Sequence, residues 1–297
     1  MNNIIKKLKK INLVFLLTSI AALLSFMPVL LAAPALRAAR LVSEKAVHFW
    51  IVQLILIGTL WITGLEPLAI SLLTSSLLVG LYTEIYNRKK NLFIAGIISV
   101  VIASVVSVVS LKSWFISKGL SLEAKVLEQI QLIIKQAQTV NSVIQLDSSV
   151  LMSQTPSALI SLMVVGLALS LILEKSLISS LGVTSNINSE HLNLRDFKLP
   201  DFIIWVSLFS LLFSFVTFTS KAVNIVSMNV LNIMVVLYFF QGLAVVESFF
   251  IALRFSFFLR LVTYFILLVQ LFLIVAAIGF SDFWIGFRSR FLKKKLV

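Results

Sequence analysis

Leu92-Phe-Ile-Ala-Gly-Ile-Ile-Ser-Val-Val-Ile-Ala-Ser-Val-Val-Ser-Val-Val-Ser-Leu111 runs without a single charge between Arg88-Lys89-Lys90 and Lys112. About 20 apolar residues at 1.5 Å each cross the ~30 Å hydrocarbon core of a bilayer as an α-helix. Gly96, Ser99, Ala103, Ser107 and Ser110 recur along it at spacings of three and four. They form a small-residue face suited to close packing against another helix in lipid.

The segment is one of many. Apolar runs recur from Leu13 almost to Phe280, and the 297 residues are 60% hydrophobic, only 12% charged, with a mean hydropathy of +1.07. A soluble chain carries roughly 25% charged residues, so the composition predicts an all-α, polytopic transmembrane bundle. With short connections throughout, residues 1–297 are read as a single integral membrane domain.

The formal charge of +13 points to topology rather than nucleic acid. Its carriers form short clusters between apolar runs: Lys6, Lys7, Lys9 and Lys10; Arg37 and Arg40; Arg88 to Lys90; Arg288, Arg290 and Lys293 to Lys295. Basic clusters at helix ends mark the cytoplasmic side and its anionic lipid headgroups. With no cysteine in the chain, disulfides, thiolate metal sites and cysteine nucleophiles are excluded.

Leu13–Phe26 is predicted to be the first crossing. Ala32, Ala33 and Ala35 resemble a signal-peptide cleavage site, but the residues beyond them form more membrane helices rather than an exported domain. Pro28–Arg40 reads as a short or re-entrant second crossing broken by Pro28 and Pro34. Val47–Ile62, Leu68–Tyr86, Leu92–Leu111, Leu159–Leu173, Asp201–Phe218, Val226–Leu253 and Leu261–Gly279 come after it, for eight or nine crossings in all. The side of the C-terminus stays open. Trp284, Phe287 and Phe291 beside Arg288 and Arg290 read as an interfacial anchor.

An insertion over residues 118–150 is too polar to span. Within it Val126, Ile130, Ile133, Ala137, Val140 and Ile144 recur at helical spacing, predicting an extracytoplasmic amphipathic helix. Such a helix lies on the bilayer, packs across the mouths of the other helices, or serves as a pairing helix or lid. Ser207, Ser210, Ser214, Thr217 and Lys221 share one face of their segment, which suits helix packing or a solute pathway.

Catalytic signatures are missing: the chain has no His-Glu-x-x-His, no Gly-x-Ser-x-Gly and no phosphate loop, so no enzyme activity or cofactor is expected. His48 and His191 lie far apart near segment ends, and no metal site is expected from them. Acids at membrane depth are the informative residues, because a charge at the bilayer centre costs at least ~2.5 kcal/mol. Glu247 lies in its helix between Val246 and Phe249, with Arg254 and Arg260 as ion-pair partners. Asn229 shares its face, with Asn232 beside it, while Gln241 points elsewhere; together these are the candidate intramembrane polar site. Glu66 and Glu84 are placed at helix ends within reach of water, Glu174 beside Lys175, and Asp201 as a helix cap after Pro200.

Local wording adds a resemblance. The proline-broken opening, the polar insertion, Leu199-Pro200-Asp201-Phe202 with Trp205, Asn232 followed by Gln241-Gly242-Leu243-Ala244, and Gly279-Phe280-Ser281-Asp282-Phe283-Trp284 leading to Phe287-Arg288 resemble the YybS-like family of bacterial multipass membrane proteins. That family is distantly similar to the solute-capturing S components of energy-coupling-factor transporters. The resemblance implies a bacterial cytoplasmic (inner) membrane and a helical bundle binding a small solute near its outer face. This chain is longer than such subunits by several crossings and the polar insertion. The expected partners are the lipid bilayer, other membrane subunits and a small-molecule ligand. Two functions are open: a solute-binding or transport subunit, or a non-transporting scaffold.

Overall fold

The computed structural model describes residues 13–14, 16–20, 29–43, 45–89, 91–140, 146–180, 194–216 and 221–293. The basic N-terminus, the end of the first crossing, Ile144, the 181–193 stretch with His191, Thr217 and the tail 294–297 lie outside them. All regular structure among the described residues is helical. The chain divides into two compact units, Met1–His191 and Leu192–Val297.

The first unit holds α1 (Val29–Val42), α2 (Ala46–Ile62), α3 (Glu66–Lys89), α4 (Leu92–Ser117), α5 (Leu122–Val140) and α6 (Ser148–Ser180). Its packing inverts the soluble pattern. Thr74, Ser75, Ser76, Ser99, Ser104 and Ser107 are buried, whereas Ile51, Leu54, Ile55, Val101, Val105 and Val109 are exposed. Lipid is as apolar as leucine, so large aliphatic groups lose nothing outside, and small residues inside let backbones approach. The predicted small face of α4 follows this rule through Ser99, Ala103 and Ser107, with Gly96 and Ser110 half-buried.

At the centre, α3 packs against α1, α2, α4 and α6. A polar staple pins it: Ser76 donates to Gln53 Oε1 at 2.9 Å, and Gln53 Nε2 donates to Thr18 Oγ1 at 3.2 Å. Glu66, at its start, pairs with Lys118 at 3.0 Å and takes a bond from Trp114. Pro34 does not break α1, which runs through it for 14 residues, about 21 Å and short of a bilayer. Its alanines explain the fit. Ala32, Ala33, Ala38 and Ala39 are fully or almost fully buried, so neighbouring helices close on the backbone and a missing proline donor is shielded from lipid.

The polar insertion forms α5, packed on α4 and α6. Its docked stripe differs from the predicted one by one position: Ile134 is 9% exposed, while Ile133 is 60% exposed. Val126, Ile130 and Ala137 are half-buried as the period requires. At the 3.6-residue repeat, Ile130 to Ile134 stays on one face, whereas Ile133 drifts toward water. α6 begins directly after Asp147, whose carboxylate accepts from the Ser149 amide at 2.8 Å, and α6 extends well beyond Leu173.

The second unit holds α7 (Ile203–Phe215), α8 (Lys221–Ala252), α9 (Phe257–Val269), α10 (Phe272–Ile285) and α11 (Phe287–Lys293), with a 3-10 turn at Leu194–Asp196. Asp201 does not cap α7: Phe202 is the capping residue, and Asp201 pairs with Lys198 at 3.0 Å. The predicted single crossing Leu261–Gly279 is two helices meeting at 98°, broken at Gln270, the sole polar residue of 265–280. Ser207, Ser210 and Ser214 turn their hydroxyls back onto carbonyls of α7 itself, the packing use of a serine face.

Candidate functional site

Two charged groupings shielded within the helices emerge, one in each unit. In the first, α1 carries Arg37 and Arg40 on one face, an i, i+3 pair. Arg37 is 2% exposed and Arg40 4% exposed. The Arg37 guanidinium donates from Nε and Nη2 to Glu174 Oε2 of α6, at 3.1 and 2.9 Å, and from Nη1 to Thr83 Oγ1 of α3. Its carbon lies 5.3 Å from the centre of the Tyr82 ring. Arg40 donates from Nε and Nη2 to Glu84 Oε1 of α3, at 2.8 and 2.5 Å. Two cations and two anions thus tie α1 to two neighbouring helices with no net charge.

The grouping is incomplete in one respect. Both bonds from Arg37 to Glu174 fall on a single oxygen, and among the described residues neither the buried Oε1 nor the buried Tyr82 hydroxyl has a partner. A fork-to-fork pair would use both carboxylate oxygens. Glu84 differs, because a quarter of its side chain remains exposed.

Three of these residues depart from the sequence reading, while Glu84 keeps its place near a helix end within reach of water. Arg37 and Arg40 do lie near the end of their helix, but they are buried in ion pairs rather than facing headgroups. Glu174 sits inside α6, with six further residues before the helix ends at Ser180, rather than at a helix end. The missed signal is compositional: two arginines three apart in an alanine-rich apolar helix need carboxylates, and few acids lie in apolar segments.

In the second unit, Glu247 of α8 is 22% exposed at its side chain. Tyr264 of α9 donates to its Oε2 at 2.5 Å, and Arg260 Nη1 lies 3.5 Å from its Oε1. Arg254 lies apart, in an exposed left-handed turn (φ 53°) just past α8. There Phe255 N donates to Phe250 O and Arg254 N to Ile251 O, the paired bonds that end a helix on a left-handed residue. The Phe250 and Phe255 rings stack across it at 5.2 Å.

The polar residues grouped with Glu247 do not converge. Gln241 is spent on packing: its Oε1 accepts from Leu199 N at 3.1 Å and its Nε2 donates to Gly279 O at 3.0 Å. Asn229 donates back to Ile225 O, and both Asn229 and Asn232 lie far along α8 from Glu247. Beside Gln241, α8 and α10 cross almost backbone to backbone at Gly242 and Gly279. Asp282 of α10 accepts from Arg288 at 3.0 and 2.7 Å, and Arg288 Nη1 also holds the carbonyls of Arg195 and Phe197. The last phrase of the resemblance is thus a latch rather than only an interfacial anchor. Among the described residues no cluster of three metal-ligating side chains occurs.

A family model described as "Predicted membrane protein (DUF2232)" matches residues 11–283. The chain belongs to that family. No curated protein and no solved structure matches it. As a DUF2232 member it is a membrane protein that sits in a lipid bilayer, and its helices agree. α3, α4, α8 and the Ser148–Glu174 part of α6 are long and apolar enough to span, a fifth span arises if the bent α9–α10 pair is one, and α2 and α7 are shorter apolar helices.

Chemically, the α1–α3–α6 grouping of this DUF2232 protein can hold α1 against two neighbouring helices through paired opposite charges. Each pair joins residues that no local motif could link: Arg37 and Glu174 are 137 positions apart.

Proposed function

We propose that the protein is a membrane-embedded subunit that binds or transports a small solute, with the α1–α3–α6 ion pairs as its closure at one end. The observation that carries this reading is the doubly paired, buried set Arg37–Glu174 and Arg40–Glu84. Ion pairs in a bundle interior often break even against apolar packing, so their use is best accounted for by a helix with two positions. Glu84 lies a little over one turn before Lys89, so the closure is toward the Arg88–Lys90 end, read as cytoplasmic by the positive-inside bias. It is therefore distinct from the outer-face solute pocket that the S-component similarity implies.

The finer parts of the proposal rest on the sequence: the resemblance, the missing catalytic motifs and the placement of the basic clusters. They are YybS-like kinship, a bacterial cytoplasmic membrane, no enzyme activity, and one membrane domain with residues 118–150 outside. Counting the first segment, α1, α2 and α7 as crossings beside the spans above brings the number to nine. The exposed Trp205, Phe209 and Phe213 of α7 favour a second reading, a non-transporting scaffold whose apolar flank meets another membrane subunit.

Native mass spectrometry of the protein in nanodiscs, after exposure to a small-molecule extract of its host cells, tests the first reading. A retained small molecule on the wild type, with retention altered at least about tenfold (~1.4 kcal/mol) in Arg40→Gln, supports it. No retained molecule, with co-purification of a second membrane protein, leaves the scaffold.

A further inference from the structure

We propose that α9 is an in-plane helix seated on anionic phospholipid, with its apolar face among the acyl chains and Arg254 on the headgroups. The inference goes beyond the closure and does not depend on it. α9 has two unlike faces. At about 100° per residue, Phe258, Val262, Phe265, Ile266 and Val269 fall within one arc of about 100°, and Arg260, Thr263 and Tyr264 fall in the opposite arc. The polar arc is half-buried, turned to the protein, whereas the apolar arc is exposed, 74% at Phe258 and 67% at Phe265. Water is a poor neighbour for such a face, and the bilayer around a membrane protein is the apolar phase that covers it.

The packing of α10 sets the direction. It runs alongside α8 in the opposite sense: Gly279 meets α8 at Tyr238 and Gly242, and Gly242 meets Val275. Phe239 also stacks on Phe272 at 4.5 Å. α9 meets α10 at 98°, so it lies across the direction of α8, a helix long and apolar enough to span. Its mooring is narrow. Arg260 and Tyr264, a full turn apart, both reach Glu247, and the Tyr264 ring meets Phe250 at 5.3 Å in a T-shape. Glu247 and Phe250 precede Arg254 by seven and four residues, about 6–10 Å along a helix. In-plane amphipathic helices sit about 5–10 Å into the boundary between headgroups and acyl chains. With Arg254 at the headgroups, α9 lies at that depth along its whole length.

Charge selects the lipid. No acid occurs between Glu247 and Asp282 in the sequence, and Glu247 is taken by Arg260 and Tyr264. Exposed Arg254 therefore brings a positive charge with no counter-ion among the described residues. Hydrocarbon expels such a group and anionic headgroups attract it. A second protein helix is a poorer occupant, because the apolar arc holds no small residue by which backbones close on each other in lipid.

The chain has no cysteine, so a nitroxide can be attached at one position at a time in the full-length protein, through Phe258→Cys, Val262→Cys, Phe265→Cys or Val269→Cys. The host is a liposome of mixed phosphatidylcholine and phosphatidylglycerol, and relaxation by oxygen against a nickel chelate gives the depth of each label. One shallow depth at all four positions is expected. A crossing instead changes the depth steadily, by ~16 Å from 258 to 269. That gradient, access to nickel alone (a helix in water), or access to neither reagent (a helix covered by protein) each overturns the proposal. The headgroup contact has its own readout, a bimane on Phe258→Cys quenched by brominated phosphatidylglycerol or brominated phosphatidylcholine at equal content. The anionic lipid should quench about twofold more or better, Arg254→Gln should bring the ratio to about one, and Arg254→Lys should keep the preference. Equal quenching in the otherwise unaltered protein, or a preference that Arg254→Gln leaves in place, overturns the assignment of Arg254 to the headgroups.

Discussion

Replacing Gly279 with alanine should separate α8 from α10. A Cβ there would lie 2.0 Å from Tyr238 O and 2.5 Å from Gly242 N, and one on Gly242 would lie 1.9 Å from Val275 O. Even a close carbon–oxygen contact holds the atoms ~3.3 Å apart, so the helices must part by more than ~1 Å. The obstructing atoms are backbone, and no rotamer change can relieve them. Overpacking of this kind costs about 1–3 kcal/mol. Separation also strains the 3.0 Å bond from Gln241 to Gly279 O, adding about 0.5–1.5 kcal/mol. Each substitution, Gly279→Ala or Gly242→Ala, is therefore expected to cost roughly 2–4 kcal/mol. Two other helical glycines supply the controls. A Cβ on Gly80 meets the movable Trp50 ring at 2.5 Å, and one on Gly58 meets nothing within 4 Å. Gly58→Ala should be neutral or stabilising by up to ~1 kcal/mol, since alanine is the better helix former. Equilibrium unfolding in mixed micelles of rising denaturing-detergent content ranks the four. If Gly279→Ala and Gly242→Ala prove no worse than Gly58→Ala, the close crossing is wrong.

Arg254→Gly should raise stability by ~0.5–1 kcal/mol by relieving a left-handed residue, while Arg254→Val lowers it; the same unfolding assay reads both. Tyr264→Phe should cost ~1.5–3 kcal/mol because Glu247 loses its shortest bond, and Glu247→Gln should cost less because an amide still accepts from Tyr264. The Ser149 amide holds the Asp147 carboxyl below its ordinary 3.8, so its capping is complete above that value and lost as pH falls through the depressed one. Asp147→Ala should accordingly lower Tm near neutrality and match the wild type in strong acid. Because the chain has no cysteine, a single one at position 89 should stay unlabelled by an impermeant reagent in intact cells while one at 136 is labelled; the reverse pattern inverts the assigned sides.

The membrane fold is legible because the bilayer imposes its rule on every segment separately. Leu92–Leu111 is long enough and uncharged enough to span whatever it packs against, and the other long helices pass on the same ground. Boundaries are less legible where packing decides. Pro34 reads as a break because proline lacks a donor, but the buried alanines around it keep lipid from the gap. The α5 stripe shifts by one residue because Ile133 and Ile134 both fit a period of three and four, and only the neighbouring helices α4 and α6 choose between them.

The site is legible in kind but not in place. An acid inside an apolar helix demands a partner, and that argument singles out Glu247, which lies beside Arg260 but also beside the unforeseen Tyr264. The same demand applies with greater force to Glu174, because its surroundings are drier than those of Glu247. Lys175 directly after it suggests a local partner in the sequence, whereas Arg37, which holds it, is 137 positions away. Arg37 and Arg40 suit the membrane edge for a related reason, since a basic pair at the end of a short segment satisfies the topology rule equally well. Burial separates the two accounts. An arginine at a headgroup boundary keeps its tip in water, whereas both of these are nearly sealed and bound to carboxylates on other helices. Charge at depth can be read from one helix at a time; which opposite charge answers it is a property of the assembled bundle.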